Sequence, residues 1–395
     1  IDGEEVSNQP TYSFQVTGAM TLVANFEAVP IGNTFTLSGW SWWSANQDIT
    51  LNDLYEALVN NSSSIVSQNG SNTYLDGLGW DGDIEQIDLD KMYKINVEGS
   101  IEVSFNAPAA DPAQHPITIN KGTNWIGYPC QEAMAVNDAL ANLNATSGDR
   151  IKSEGQTAMF LGSSWTGTLK NLEPNHGYLY TAKAAASSFT YPTGAKAAQL
   201  EVDEPTFWTP ERARFASNMN VLAVLNLDGM DQTASDIEIG AFVNGECRDA
   251  VRLIHFGETG QALALFTISG ENGENVHFKA LVNGNAIDLV ETVTVQIDGM
   301  VGDLDRPFVL HNAAADLTLF PNPAGRGEQV QIALPDSFDA DGATAEVYNA
   351  LGALVNAQAL NKGSKMLQGV TAAGLYTVKV TDQKGNVLYG KLVVR

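Results

Sequence analysis

Basic side chains are scarce in this chain: 21 Lys and Arg stand against 46 Asp and Glu in 395 residues, a formal net charge of −25. A surface of that sign repels nucleic-acid phosphates and anionic headgroups, which excludes nucleic acid as a partner. Cysteine is scarcer still. Only Cys130 and Cys247 occur, far apart in sequence, so no disulfide framework is present. One reading of the pair is two buried thiols acting as small hydrophobes, and the other is a bridge between domains. No apolar run approaches the roughly 18 residues that a membrane-spanning helix needs, so any membrane attachment is indirect. The histidines, His115, His176, His255, His277 and His311, never stand at the short spacings of a metal pair. His277, between Val276 and Phe278, reads as a surface residue of a strand. No HExxH, GxSxG or Walker string occurs, so the expectation is a region without catalytic residues and without a cofactor. The chain opens Ile1-Asp2-Gly3-Glu4-Glu5 without an initiator Met or an apolar leader, and a signal peptide on a longer precursor is expected.

Present in their place are turn dipeptides and short alternating apolar runs, which predict a mainly β chain, and the length exceeds what one core organises. An internal duplication is legible. Gly39-Trp40-Ser41-Trp42-Trp43-Ser44 aligns with Gly122-Thr123-Asn124-Trp125-Ile126-Gly127, Gly79-Trp80-Asp81-Gly82 with Ser164-Trp165-Thr166-Gly167, and Tyr93 with Tyr178. In the first copy Thr50 and Asp53 form an N-terminal helix signal, and Leu51, Leu54, Tyr55 and Leu58 share one helical face; Val136, Ala139, Leu140 and Leu143 repeat that face in the second. Two small α+β modules are expected, at 33–115 and 116–192, followed by a linker-like stretch over 184–210. From Phe215 to His311, Asn244-Gly245 and Asn283-Gly284 are hairpin turns between alternating strands, predicting an antiparallel sandwich of about seven strands over 205–312. Residues 316–395 carry 7 basic and 7 acidic groups, so charge steps from strongly acidic to neutral there and marks a last domain.

That last domain reads DLTLFPNPAGRGEQVQIALP, AEVYNALGALV and GLYTVKVTDQKGNVLYGKLVVR. Pro321 and Pro323 withhold amide donors and end a first strand; Val330, Ile332 and Leu334 alternate inward, then Val347, then Tyr376, Val378 and Val380. Leu351-Gly352 and Lys384-Gly385-Asn386 are turns. The order resembles the type A sorting domain of type IX secretion cargo in Bacteroidetes: a "YPNP" start, a "vyn..G..v" hairpin, a "GiY.v.v" strand and a final "K.vv" strand. Pro321, Asn322, Pro323, Gly374, Tyr376, Lys391, Val393 and Val394 carry the resemblance. Phe320, Leu375 and Arg395 depart from it at the usual Tyr, Ile and terminal Lys. It implies recognition by an outer-membrane translocon and its shuttle protein, removal by a sortase-like cysteine protease near 311–316, and attachment of the cargo to lipopolysaccharide. The implied place is the cell surface or the extracellular medium.

Weaker resemblances lie upstream. Residues 1–28 resemble the closing half of a "bacterial repeat" β module, the duplicated modules resemble repeats of Bacteroidetes surface proteins with a "GWnWi" start, and IEIGAFVNGECRD resembles a module found before sorting domains, with Asp249 at a usual Gly. The overall fold class expected is therefore multidomain and mainly β, two α+β modules followed by two antiparallel Ig-like sandwiches. Indoles stack on sugar rings and on apolar surfaces alike. The duplicated Trp42, Trp125, Trp80 and Trp165 read as core, whereas Trp40, Trp43 and Trp208 read as exposed aromatic contacts for a host protein or glycan. Asp81-Gly82-Asp83, Asp228 to Asp231 and Asp298 to Asp305 read as solvated turns, with Ca²⁺ between strands as the alternative. The functional expectation is a stalk-like or adhesive C-terminal region of an exported surface protein. The alternative is the accessory region of a secreted protease or glycosidase whose catalytic domain lies upstream.

Overall fold

A computed structural model describes residues 30–58, 63–185, 188–193, 206–227, 230–256, 261–312, 317–334, 340–361, 365–383 and 387–395, with isolated positions 13, 15, 18, 19, 21 and 338 besides. The module read at 1–28, most of the linker, the turn at 384–386 and the segment 313–316 lie outside the described residues. The chain is mainly β.

The first sheet contains β1 (Pro30–Trp43), β2 (Ser64–Val66), β3 (Ser71–Leu75), β4 (Gly79–Gly82) and β5 (Tyr93–Pro108), in the order β1-β5-β2-β3-β4. Helix α1 (Leu51–Leu58) links its first two strands. Thr50 and Asp53 close a reciprocal cap, the Asp53 amide donating to Thr50 Oγ1 at 3.2 Å and the Thr50 amide to Asp53 Oδ2 at 2.7 Å. Leu54 and Leu58 of this helix are buried.

The second sheet has β6 (Gly122–Ile126), β8 (Arg150–Lys152), β9 (Thr157–Phe160), β10 (Trp165–Gly167) and β12 (Tyr178–Ala182), in the order β6-β12-β8-β9-β10. The short β7 (Met134–Ala135) and β11 (Asn171–Leu172) pair apart from it. Its path matches the first sheet strand for strand. Helix α2 (Val136–Ala139) is a single turn and begins at Ala135 without a side-chain cap; Leu140 and Leu143 are buried beyond it.

Small devices recur with the path. Tyr93 Oη accepts the Asp88 amide and Tyr178 Oη the Glu173 amide, both at 2.7 Å. Gly82 and Gly167 lie against the neighbouring strand so closely that a Cβ would stand 2.0 Å from Ser71 O and 2.1 Å from Thr157 O.

The third unit stacks two sheets. One holds β14 (Met230–Asp231), β13 (Asn218–Leu227), β18 (Gln261–Ser269) and β17 (Ile254–Phe256); the other holds β16 (Glu246–Arg252), β15 (Glu238–Val243), β19 (Asn275–Val282) and β20 (Asn285–Thr294). Both Asn-Gly hairpins form with positive φ at each central residue, 51° and 83° at Asn244-Gly245 and 50° and 76° at Asn283-Gly284. The sandwich is not wholly antiparallel as expected. After β20 the chain crosses over, and β21 (Met300–Val301) and β22 (Phe308–His311) run parallel to β13 along its second edge. The sequence marks this strand as unusual, since MNVLAVLNL is apolar on both faces, the pattern of a strand covered on two sides. Met219, Val221, Ala223 and Leu225 fill the sandwich interior, while Leu222 and Val224 pack outward with Met159 of β9.

The tail forms a second, smaller sandwich: β23 (Thr318–Phe320), β24 (Val330–Ala333) and β27 (Met366–Leu367) in one sheet, and β25 (Thr344–Asn349), β26 (Leu354–Ala359), β28 (Gly374–Thr381) and β29 (Val387–Val394) in the other, ordered β26-β25-β28-β29. Its core is a separate cluster that includes Leu319, Val330, Ile332, Val347, Val378, Val380, Leu388, Leu392 and Val394.

A side chain at either matched glycine has to push a backbone carbonyl aside. Gly82→Ala and Gly167→Ala are each expected to lower stability by more than about 1 kcal/mol in urea denaturation, and an unchanged midpoint in both would contradict the close strand packing.

Candidate functional site

The tail motif converges on one edge of its sandwich. Phe320 ends β23, and Pro321-Asn322-Pro323, with cis peptides before both prolines, turns the chain against β29. Asn322 acts there as a clip: its Nδ2 donates to Lys391 O at 2.7 Å and its Oδ1 accepts the Val393 amide at 2.9 Å. Ala324 continues the pairing, its amide donating to Val393 O at 2.8 Å and its carbonyl accepting the Arg395 amide at 3.0 Å. On the opposite flank of β29, Gly374 lies across from Val394 and Leu375 across from Val393. Tyr376 is buried, and its hydroxyl donates to Ala372 O at 2.9 Å. The eight motif residues thus build one structure, the closure of the last strand. Phe320, Leu375, Tyr389 and Val393 remain exposed around it.

The aromatic candidates separate. Trp43 is 1% exposed and packs on Phe35, Tyr93 and Phe105, so it is a core residue and not an exposed contact. It takes the place held in the second copy by buried Ile126, and a core needs apolar volume at that position in both copies. Trp40 is half-buried. Trp208 is half-buried too, wedged edge-on against Phe242 with ring centroids 5.4 Å apart, and its amide donates to Glu238 Oε1 at 3.0 Å. Of the duplicated tryptophans, Trp42 and Trp165 are buried, whereas Trp80 is half-buried on the ring of Tyr55 and Trp125 is half-buried at the border between the two copies.

Sequence reasoning missed a buried polar junction joining both copies and the large sandwich. Lys94 of β5 lies over the rings of Trp42 and Trp125, 4.6 and 4.7 Å from their centroids, and donates to Ser217 Oγ at 2.9 Å. Lys152 of β8 donates to Asp298 Oδ1 at 2.9 Å and to Asn218 O at 3.2 Å. The Trp42 indole donates to Ala216 O at 3.0 Å, and the Trp42 amide donates to the Glu154 carboxylate. Arg212 reaches buried Asp249 at 2.6 Å, which gives this Asp a role that the usual Gly lacks. Burial pushes both lysines down to about 8, with Asp298 opposing the shift in each, and it pushes Glu154 up against the pull of the Trp42 amide and nearby positive charge. The one signal in the sequence was the two-faced apolar pattern of β13.

Burial also raises both thiols to about 12; Cys130 and Cys247 are free and far from the thiolate that nucleophilic chemistry requires. Among the described residues no three His, Cys, Asp or Glu side chains gather as a metal site. Within the acidic stretches Asp298 accepts from Lys152, Asp231 from Asn226, and Asp303 from the amides of Asp305 and Arg306, while Asp81 and Asp83 are exposed. Asp228 lies outside the described residues.

Asn322→Ala removes both clip bonds and is expected to cost about 2 kcal/mol, read as a lowered midpoint for the tail's own calorimetric transition. Above pH 8 the folded junction sheds lysine protons that the unfolded chain keeps up to 10.5. The stability contributed by Lys94 and Lys152 therefore rises with pH across that window and is lost as pH falls through 8. The urea midpoint of the native chain minus that of the K94M/K152M double variant should increase from about pH 7 to about pH 10, and a constant difference would refute the depressed values.

No curated protein matches this chain. Among solved structures it is similar to fibronectin(III)-like modules of Clostridium thermocellum CbhA, at 12% identity over 44% of this chain and 90% of that one, with a TM-score of 0.16. It is similar also to the FN1–FN3 domains of chicken CNTN1, at 10% identity over 71% and 97%, TM-score 0.16, and to dimeric latent PorU from Porphyromonas gingivalis, at 13% identity over 93% and 34%, TM-score 0.15. Scores of this size carry no argument, and the mainly β architecture rests on the strands themselves. The family model for the secretion system C-terminal sorting domain matches residues 318–395, the segment that the Asn322 clip closes. The C-terminal sandwich is a type IX secretion sorting domain, and it marks the chain for passage across the outer membrane to the cell surface or the extracellular space.

Proposed function

We propose that the chain is the non-catalytic C-terminal region of an exported bacterial surface protein, in which the tail is the address and the modules before it are the cargo. The observation that carries this reading is the self-contained sandwich over 318–395, with a core and charge balance of its own. The division into α+β modules at 33–115 and 116–192, a sandwich at 205–312 and a tail at 316–395 belongs to the same reading. In it, the type IX translocon and its shuttle protein recognise the folded tail, a sortase-like cysteine protease removes it, and lipopolysaccharide anchors what remains, in a member of the Bacteroidetes. The cargo serves as an adhesive or presenting unit. Its modules interlock through buried polar bonds, which supports a rigid platform over a string of freely jointed beads.

Removing residues 317–395 from the full-length protein is expected to leave it in the periplasm. Protease shaving of intact cells followed by fractionation reads the outcome, and undiminished surface exposure of the truncated protein would overturn the assignment.

A further inference from the structure

Between the two repeat copies lies a groove of about 530 Å³, within the size range of small-ligand sites. Its walls are fixed. Gln68, on the turn after β2, donates through Nε2 to Thr123 O at 3.0 Å and accepts the Trp125 amide on Oε1 at 2.9 Å, so one side chain holds copy one to the first strand of copy two as a paired strand would. Met92 and Ile126, both buried, contribute apolar lining. Asn124 is buried and spends its amide on Asn120 and Gly122 carbonyls, at 2.8 and 3.0 Å, which holds that wall in shape. A ligand would meet these groups in a set conformation, with little ordering left to do on binding.

The lining has a distinct chemistry. Asn69, Gln86 and Asn120 bring side-chain amides, which both donate and accept; Asp83 and Glu85 bring acceptors; Trp125 brings a half-buried indole with one face covered by Lys94. A hydroxyl also donates and accepts, and the C–H faces of a pyranose ring suit an indole. Phosphate, sulfate and carboxylate ligands face repulsion from Asp83, Glu85 and Asp88, because Lys91, the groove's one lysine among its described lining, is paired with Asp90 at 2.5 Å.

We propose that the groove between the repeat copies binds a neutral oligosaccharide, with Trp125 as stacking platform and Asn69, Asn120 and Glu85 as hydroxyl-reading groups. The proposal rests on the reading of the modules as a binding platform and names the ligand class and the place. The aromatic contact is Trp125, at the seam between copies, and not Trp43.

Calorimetric titration of the full chain with neutral hexasaccharides of glucan, mannan, xylan and galactan tests it. At least one should bind, with affinity little changed by salt. Trp125→Ala should weaken it by at least about tenfold, the scale of one anchoring contact. Because Trp125 borders the junction, the exposed pair N69A/E85A serves as the second variant and should weaken the same sugar while leaving the melting midpoint unchanged. Binding of none of the four sugars, or binding that neither variant alters, overturns the proposal. So does a groove that responds only to an oligolysine peptide in a salt-sensitive way. None of these outcomes bears on the sorting tail, which cell fractionation tests separately.

Discussion

Two lysines taken out of water fix how the modules before the tail sit against one another. Lys94 and Lys152 come from different copies of the repeat, yet both reach toward the start of β13, one to Ser217 and the other to Asn218 O and Asp298. A buried ammonium is costly unless every donor finds an acceptor or an aromatic face, so each contact restricts where the neighbouring module can sit. Around the charges, Leu222 and Val224 bury their outward face against Met159, adding the non-directional attraction that the polar bonds then orient. Geometry comes from the lysines and much of the adhesion from the apolar strand face.

The tail obeys a different logic. Among the described residues its core contains none from the preceding modules, and its charge is balanced where the cargo is strongly acidic. A label that an export machine must recognise on unrelated cargoes has to be stable without help from any of them, and a core closed by its own last strand satisfies that condition. Asn322 carries much of the closure because the prolines beside it have no amide to give; its side chain supplies the donor and the acceptor that two backbone groups would otherwise provide.

Much of the β architecture was legible because alternation and Asn-Gly turns are local signals, and both hairpins stand where their dipeptides place them. The helix after Thr50 was legible for the same reason, since its cap lies within three residues of sequence. The parallel return of β22 beside β13 was not, because nothing in PFVLH distinguishes the direction of its partner. Trp43 misled because it lacks an indole at the matching position in the other copy, whereas the core asks there only for apolar bulk, and isoleucine serves as well. The junction was hidden for a further reason: Lys94 stands between Tyr93 and Ile95, and Lys152 follows Ile151, so each reads as the solvated position of an alternating strand, and only the fold brings Trp42, Trp125 and Asp298 to them. The tail motif was legible as a pattern of letters, but the bonds Asn322 makes cross some seventy positions of chain and carry no local trace.

The outward packing of β13 on Met159 has an evolutionary consequence. A tandem duplication begins as two interchangeable units, free to be lengthened by another round of copying. Once the second unit supplied the covering for a strand of the next domain, and the first supplied a lysine for the same seam, each acquired a neighbour it could not trade. A third copy placed between them would carry the first copy's lysine away from its partner, and one placed after them would strip β13 of its cover. Both copies are committed to this seam, and a change in reach that keeps the seam intact is one made outside the pair.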